Sequence, residues 1–100
     1  MQVQKFQITP GIPIQKVFMP QGSMLLTGIH KIDDNFYLYA ICESKNPNIP
    51  RELRVYPTFQ EINIDSGIMY VGTFHDYVQG YHVFELESPE HPGDIEQTSQ

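Results

Sequence analysis

A chain of 100 residues, 40% of them hydrophobic, with six Phe, six Tyr and no Trp, can bury one core and is too apolar for a disordered coil. Its formal charge of −6, twelve acids against six bases, repels a phosphate backbone and excludes double-stranded nucleic acid as an expected partner. The single Cys rules out an intrachain disulfide, and no apolar run makes a leader or approaches the ~18 residues of a membrane span, so the expectation is a soluble protein of a reducing cytoplasm with no membrane partner.

Residues 2 to 8 alternate Gln4, Phe6 and Ile8 against Val3, Lys5 and Gln7, the pattern of an edge strand with one partly buried face. Thr9, Pro10, Gly11, Ile12 and Pro13 break it, since Pro cannot donate to a ladder and Gly accepts a tight turn. A second strand is predicted over residues 14 to 19, ending at Pro20, Gln21, Gly22 and Ser23. Residues 24 to 32 and 35 to 43 predict a third and a fourth strand around Asp33 and Asp34, a two-residue turn that makes the pair a tight hairpin. In the fourth, Phe36, Leu38, Ala40 and Cys42 face one way and Tyr37, Tyr39 and Ile41 the other. With both faces apolar, this strand belongs at the centre of a sheet or presents one face to another subunit. Cys42 reads as an inert core thiol.

Residues 44 to 50, with Pro47 and Pro50, form a connection without periodicity. A fifth strand is predicted over residues 51 to 56, closed by Pro57. Between residues 58 and 67 Ile62 and Ile64 alternate with polar residues, and Asp65, Ser66 and Gly67 resemble a turn; a short strand and an ordered loop both fit. The aromatic, β-branched runs 70 to 74 and 81 to 85 flank a short polar loop around Gly80 and predict a closing hairpin. The expectation is an all-β domain over residues 1 to 86, a small antiparallel sandwich or partly open barrel of about seven strands with room for one short helical turn. Residues 87 to 100 carry Glu87, Glu90, Asp94 and Glu96 without a base, and Pro89, Pro92 and Gly93, the composition of a flexible acidic tail. The alternative is an acidic arm that docks on a partner.

Taken in order, Lys5 to Ile8, Met19 to Gly22, Tyr37 to Ala40, Arg51 with Val55 to Thr58, Tyr70 to Phe74 and Tyr81 to Glu85 make residues 5 to 86 resemble a family of small proteins of bacteriophages and prophages, classed as a domain of unknown function. Relatives commonly carry Gly where this chain has Phe59, and Trp or Phe where it has Tyr81. The resemblance implies a compact β domain of viral or prophage origin acting in the cytoplasm of a bacterial host, and it brings no active site.

The residues themselves give no catalytic or metal motif. His30, His75, His82 and His91 form no His-x-His pair, so no metal or other cofactor is expected. If His82 shares a face with Phe84 and Leu86, it reads as a partly buried ring with a satisfied hydrogen bond. Ser23, Ser44 and Ser66 lie in turns without a Gly-x-Ser-x-Gly, and Asp33 and Asp34 are adjacent turn residues rather than a desolvated pair. An enzyme is therefore not expected.

A more informative set is Arg51, Arg54, Tyr56 and Thr58, joined by Tyr70, Thr73 and His75. Arg54, Tyr56 and Thr58 share one face of the fifth strand, opposite Leu53 and Val55. A guanidinium for phosphate, a ring for a base and a hydroxyl for ribose suit a nucleotide-like anion. The plainer reading is a solvent-facing strand whose Arg pairs with a neighbouring acid. Gly72 invites close approach of a ligand or of backbone. The surplus of aromatics over one small core implies a homo-oligomer. The leading expectation is a non-enzymatic, phage-type binding protein that sequesters a small nucleotide-derived host immune signal. The rivals are an acidic protein inhibitor of a host enzyme and a minor virion or assembly component.

Overall fold

In chain order the strands are β1 (Gln2–Ile8), β2 (Ile14–Pro20), β3 (Met24–Leu25), β4 (His30–Ile32), β5 (Asn35–Cys42), β6 (Asn48–Pro57), β7 (Ile68–Asp76) and β8 (Gln79–Leu86). The structure, a computed structural model, describes residues 1–63 and 67–87. Among them no segment is helical and none makes a helix long and apolar enough to cross a membrane. The predicted turn at Asp65 and Ser66 and the acidic tail from residue 88 onward lie outside the described residues.

The strands form two antiparallel four-stranded sheets that enclose one core as a sandwich. In sheet A, β5 lies between β1 on one side and β3 and β4 on the other; sheet B runs β2-β6-β8-β7. The apolar character of both β5 faces thus marks a central strand. Phe36, Leu38, Ala40 and Cys42 are buried, and Tyr37, Tyr39 and Ile41 are half-buried on the outer face. Ile8, Phe36 and Leu38 meet Leu53, Val55, Val71, Phe74 and Val83 across the sandwich. A second cluster, Met19, Ala40 and Cys42, continues that core.

The β4–β5 hairpin turns on Asp33 and Asp34 at φ 50° and 68°, and two successive left-handed residues match the twist of the flanking strands. The third predicted strand, in contrast, is interrupted. Only residues 24–25 and 30–32 pair with β5. Between them Gly28 takes φ 111° and donates its N–H to Val71 O of the opposite sheet at 2.8 Å. The hydrophobic run is continuous because Ile29 leaves the sheet to pack on the core, and this raises the count from seven strands to eight.

The fifth predicted strand is longer than expected and incorporates two prolines. Residues Asn48 to Arg54 pair with β2 and Leu53 to Pro57 with β8. Pro50 and Pro57 each sit where β6 has a neighbour on one side only, so the missing N–H costs no ladder bond.

Beyond β6, Phe59 takes φ 77° and is fully exposed. A left-handed conformation crowds the Cβ of such a residue against its own carbonyl, and here no packing offsets the cost. Phe59→Gly is expected to raise unfolding free energy by about 1 kcal/mol in urea denaturation; an unchanged midpoint would mean that this turn is relaxed.

Candidate functional site on the outer face of sheet B

The inward residues of β6 are Leu53 and Val55, so Glu52, Arg54, Tyr56 and Thr58 project outward together. Across the ladder Arg54 opposes Phe84 and Tyr56 opposes His82 on β8. On β7 the partners are Tyr70 beside Phe84 and Thr73 beside His82. Tyr70 and Thr73 are three residues apart and share this face only because a β-bulge between Tyr70 and Gly72 shifts the register by one residue.

Two kinds of side chain meet there. Tyr56 and Tyr70 flank Phe84 with ring centroids 6.2 and 5.8 Å from it, the Tyr70 contact edge-on, a favourable arrangement of ring quadrupoles. Beside this row runs a hydrogen-bonded chain: Thr58 Oγ1 to His82 Nε2 at 2.7 Å, His82 Nδ1 to Thr73 Oγ1 at 3.1 Å, and Thr73 Oγ1 to the Tyr70 hydroxyl at 2.7 Å. His82 is half-buried with both ring nitrogens engaged, as expected for a satisfied ring. The hydroxyls can donate or accept, so the chain accommodates either tautomer.

Arg54 supplies the positive charge. Its Nε donates to Glu52 Oε2 at 2.7 Å and its Nη1 to the Tyr56 hydroxyl at 3.3 Å. The hydrogen bond to Tyr56, then that to Glu52, raises its pKa further above the usual value, so the guanidinium stays charged. The acid predicted on a neighbouring strand is two residues away on the same one. Three N–H groups are engaged at most in these contacts, and the guanidinium fork has donors to spare.

The sequence-predicted residues divide between two faces. Arg54, Tyr56, Thr58, Tyr70 and Thr73 come together. His75 is on the same outer face of β7, opposite Gly80, but is outside the hydrogen-bonded chain. Arg51 projects to the other side: its Nε and Nη2 meet Glu85 at 2.5 and 3.0 Å and its Nη1 donates to Ser23 O at 2.9 Å. With both side chains largely buried, this Arg closes one end of the sandwich. The Arg51 place in the predicted ligand set is thus at odds with its position, because its guanidinium is turned inward and already paired. Sequence reasoning missed Phe84 and His82 as the centre of the set, since their role depends on the registers of β6 and β7 against β8.

The row is unevenly covered: Tyr70 is exposed and Phe84 half-buried, whereas Tyr56 is buried. A shallow hollow of 190 Å³ lies elsewhere, lined by Gly11, Pro13, Val55, Pro57, Gln60 and Tyr81, none of them in the aromatic row or the hydrogen-bonded chain. Among the described residues no three His, Cys, Asp or Glu converge to hold a metal ion. Neither curated proteins nor solved structures give a match to the chain. The model of the Domain of unknown function (DUF7352) matches residues 1–94, and the chain belongs to that family.

Proposed function

We propose that this protein is a non-enzymatic binding protein that assembles as a homo-oligomer and holds a small, anionic, nucleotide-like ligand on the outer face of sheet B. The observation that carries the reading is the juxtaposition of a charged Arg54 with the Tyr56, Phe84 and Tyr70 row. Spare guanidinium donors suit a phosphate, and an aromatic row suits a nucleobase. A ligand lying on a sheet face is buried on one side by that face, and a neighbouring subunit supplies the second wall. Ile14, Phe18, Ile68 and Tyr70 are exposed on this sheet and give that subunit apolar contact. In a phage setting, inferred from the motif resemblance, the ligand is a host immune messenger and the protein sequesters it.

Thermal unfolding against a panel of cyclic dinucleotides and ADP-ribose derivatives tests the reading, because a ligand of the folded state must raise its stability. At a concentration 100 times the dissociation constant the gain is about 2.7 kcal/mol. Arg54→Ala is expected to abolish the shift while leaving the ligand-free transition in place. No shift with any compound would remove the proposal.

A second reading, a protein that inhibits a host enzyme, is favoured by Phe59, Tyr77 and Val78, each more than 90% exposed. The Thr58 N–H donates to Gly80 O at 2.9 Å, which holds the two connections at the same end of the sheet. It predicts a complex insensitive to Arg54→Ala and weakened by Phe59→Ser with Tyr77→Ser.

A further inference from the structure

Each sheet of an open sandwich has two edges whose backbone groups can accept another strand, and folded proteins commonly blunt them. Three of the four edges here are blunted. The β3 and β4 edge consists of two- and three-residue strands separated by residues 26–29. The β7 edge is bulged between Tyr70 and Gly72, and Val71 O is taken by Gly28. The β2 edge ends in Pro20 and follows Pro13. β1 alone is seven residues long without Pro, Gly or a register shift, and among the described residues it pairs only with β5. It carries one charge, Lys5, and no acid, on a chain of net charge −6; Val3 on its outer face is 57% exposed.

We infer that β1 is the docking edge for a second copy of this chain, joining two four-stranded sheets antiparallel across a two-fold axis into one continuous sheet. The register follows from the ends of the strand. Thr9 cannot take part, because its N–H donates to Gln15 Oε1 at 3.0 Å and its carbonyl accepts from Gln15 Nε2 at 2.6 Å. A two-fold axis at Phe6 would need that residue, and one at Lys5 would set two ammonium groups opposite each other, which destabilises a pair. An axis at Gln4 meets neither obstacle. It sets Gln4 against the partner's Gln4, where the two amides can exchange hydrogen bonds, and Val3 against the stem of the partner's Lys5. Isologous pairing of one patch with itself is the usual geometry of a homodimer. The inference stands apart from the ligand reading, since the β1 edge belongs to the other sheet.

Sedimentation and charge exchange test it. The full chain is expected to have the mass of at least two copies at about 100 μM, and Val3→Lys, which faces the partner's Lys5, to weaken the β1 contact at least tenfold with unchanged circular dichroism. Val3→Lys combined with Lys5→Glu is expected to restore the dimer, because opposite charges then face each other, an outcome that a fold defect at residue 3 would not give. Phe18→Ser on the outer face of sheet B serves as a control that should leave this contact intact. A monomeric wild-type chain, a dimer indifferent to Val3→Lys, or a failure of the charge exchange would each overturn the inference. So would concentration-independent protection from hydrogen exchange at the β1 amides that point away from β5, since the edge would then be covered from within the chain; the alternate amides, bonded to β5, are protected in either case.

Discussion

Arg51→Ala is expected to cost about 3–5 kcal/mol of unfolding free energy, the usual consequence of leaving one member of a buried ion pair without its partner. Glu85 is only 8% exposed and accepts two hydrogen bonds from Arg51. Removing the guanidinium therefore strands a carboxylate in the core margin and also frees the Ser23 carbonyl, whose residue is 5% exposed. Domains of this size are stable by roughly 5–15 kcal/mol in total, so the loss takes a large share and is readable as a shifted urea midpoint. Replacing both partners by apolar residues, Arg51→Met with Glu85→Leu, is expected to recover most of it, because no charge then remains to be desolvated. A loss below about 1 kcal/mol for Arg51→Ala would mean that water reaches the pair and screens it. The comparison with Arg54→Ala separates the two arginines: Arg51→Ala lowers stability with or without ligand, whereas Arg54→Ala is expected to act on ligand binding.

That separation also marks where the sequence stops being informative. Alternation along one strand placed Arg54, Tyr56 and Thr58 on a common face opposite Leu53 and Val55; carried on to residue 51 it also sends Arg51 to the Leu53 side, a step that its inclusion in the predicted ligand set did not take. Strand existence was legible from other local signs: β1 alternates, β5 and β8 are apolar or aromatic runs bounded by turn residues, and the Asp33 and Asp34 turn marked one hairpin; strict alternation fails on β8, where Glu85 is buried and Phe84 faces outward. What depended on two strands at once was not legible. The His82 position between Thr58 and Thr73 requires the registers β6–β8 and β7–β8 together. The division of residues 24 to 32 into β3 and β4 was hidden because Ile29 is apolar for the core rather than for a sheet face. A period-2 reading of β7 groups Thr73 with His75 and sends Tyr70 to the other side; the bulge reverses that for Tyr70. Gly72 was the one local sign of irregularity, and it pointed to close approach without saying by what.

The structure answers that with the chain's own backbone, and Gly72→Ala is the sharpest test of it. A Cβ at Gly72 would lie 2.9 Å from Ile29 Cγ1 and 3.1 Å from both the carbonyl carbon and the Cα of Gly28. Ile29 packs against the core and Gly28 is held by its bond to Val71 O, so relief requires moving backbone rather than the tip of a flexible side chain. The expected cost is about 2 kcal/mol, within the range for overpacking, or a fall in Tm of roughly 10 °C for a domain of this length. A second effect follows from the bulge. The crossing of residues 28 and 29 pins β7 where its register shifts, and that shift is what brings the Tyr70 hydroxyl to 2.7 Å from Thr73 Oγ1. Displacing the crossing disturbs this pair, so any ligand shift seen with the wild type should shrink in Gly72→Ala even when compared at equal distance below each Tm. Thr73→Val provides the control: it removes the same hydroxyl from an exposed position without steric insertion, and is expected to reduce the ligand shift while changing Tm little. An unaltered Tm for Gly72→Ala would show that residues 28 and 29 do not rest on β7 and that the register of the outer face is set by the β7–β8 pairing alone.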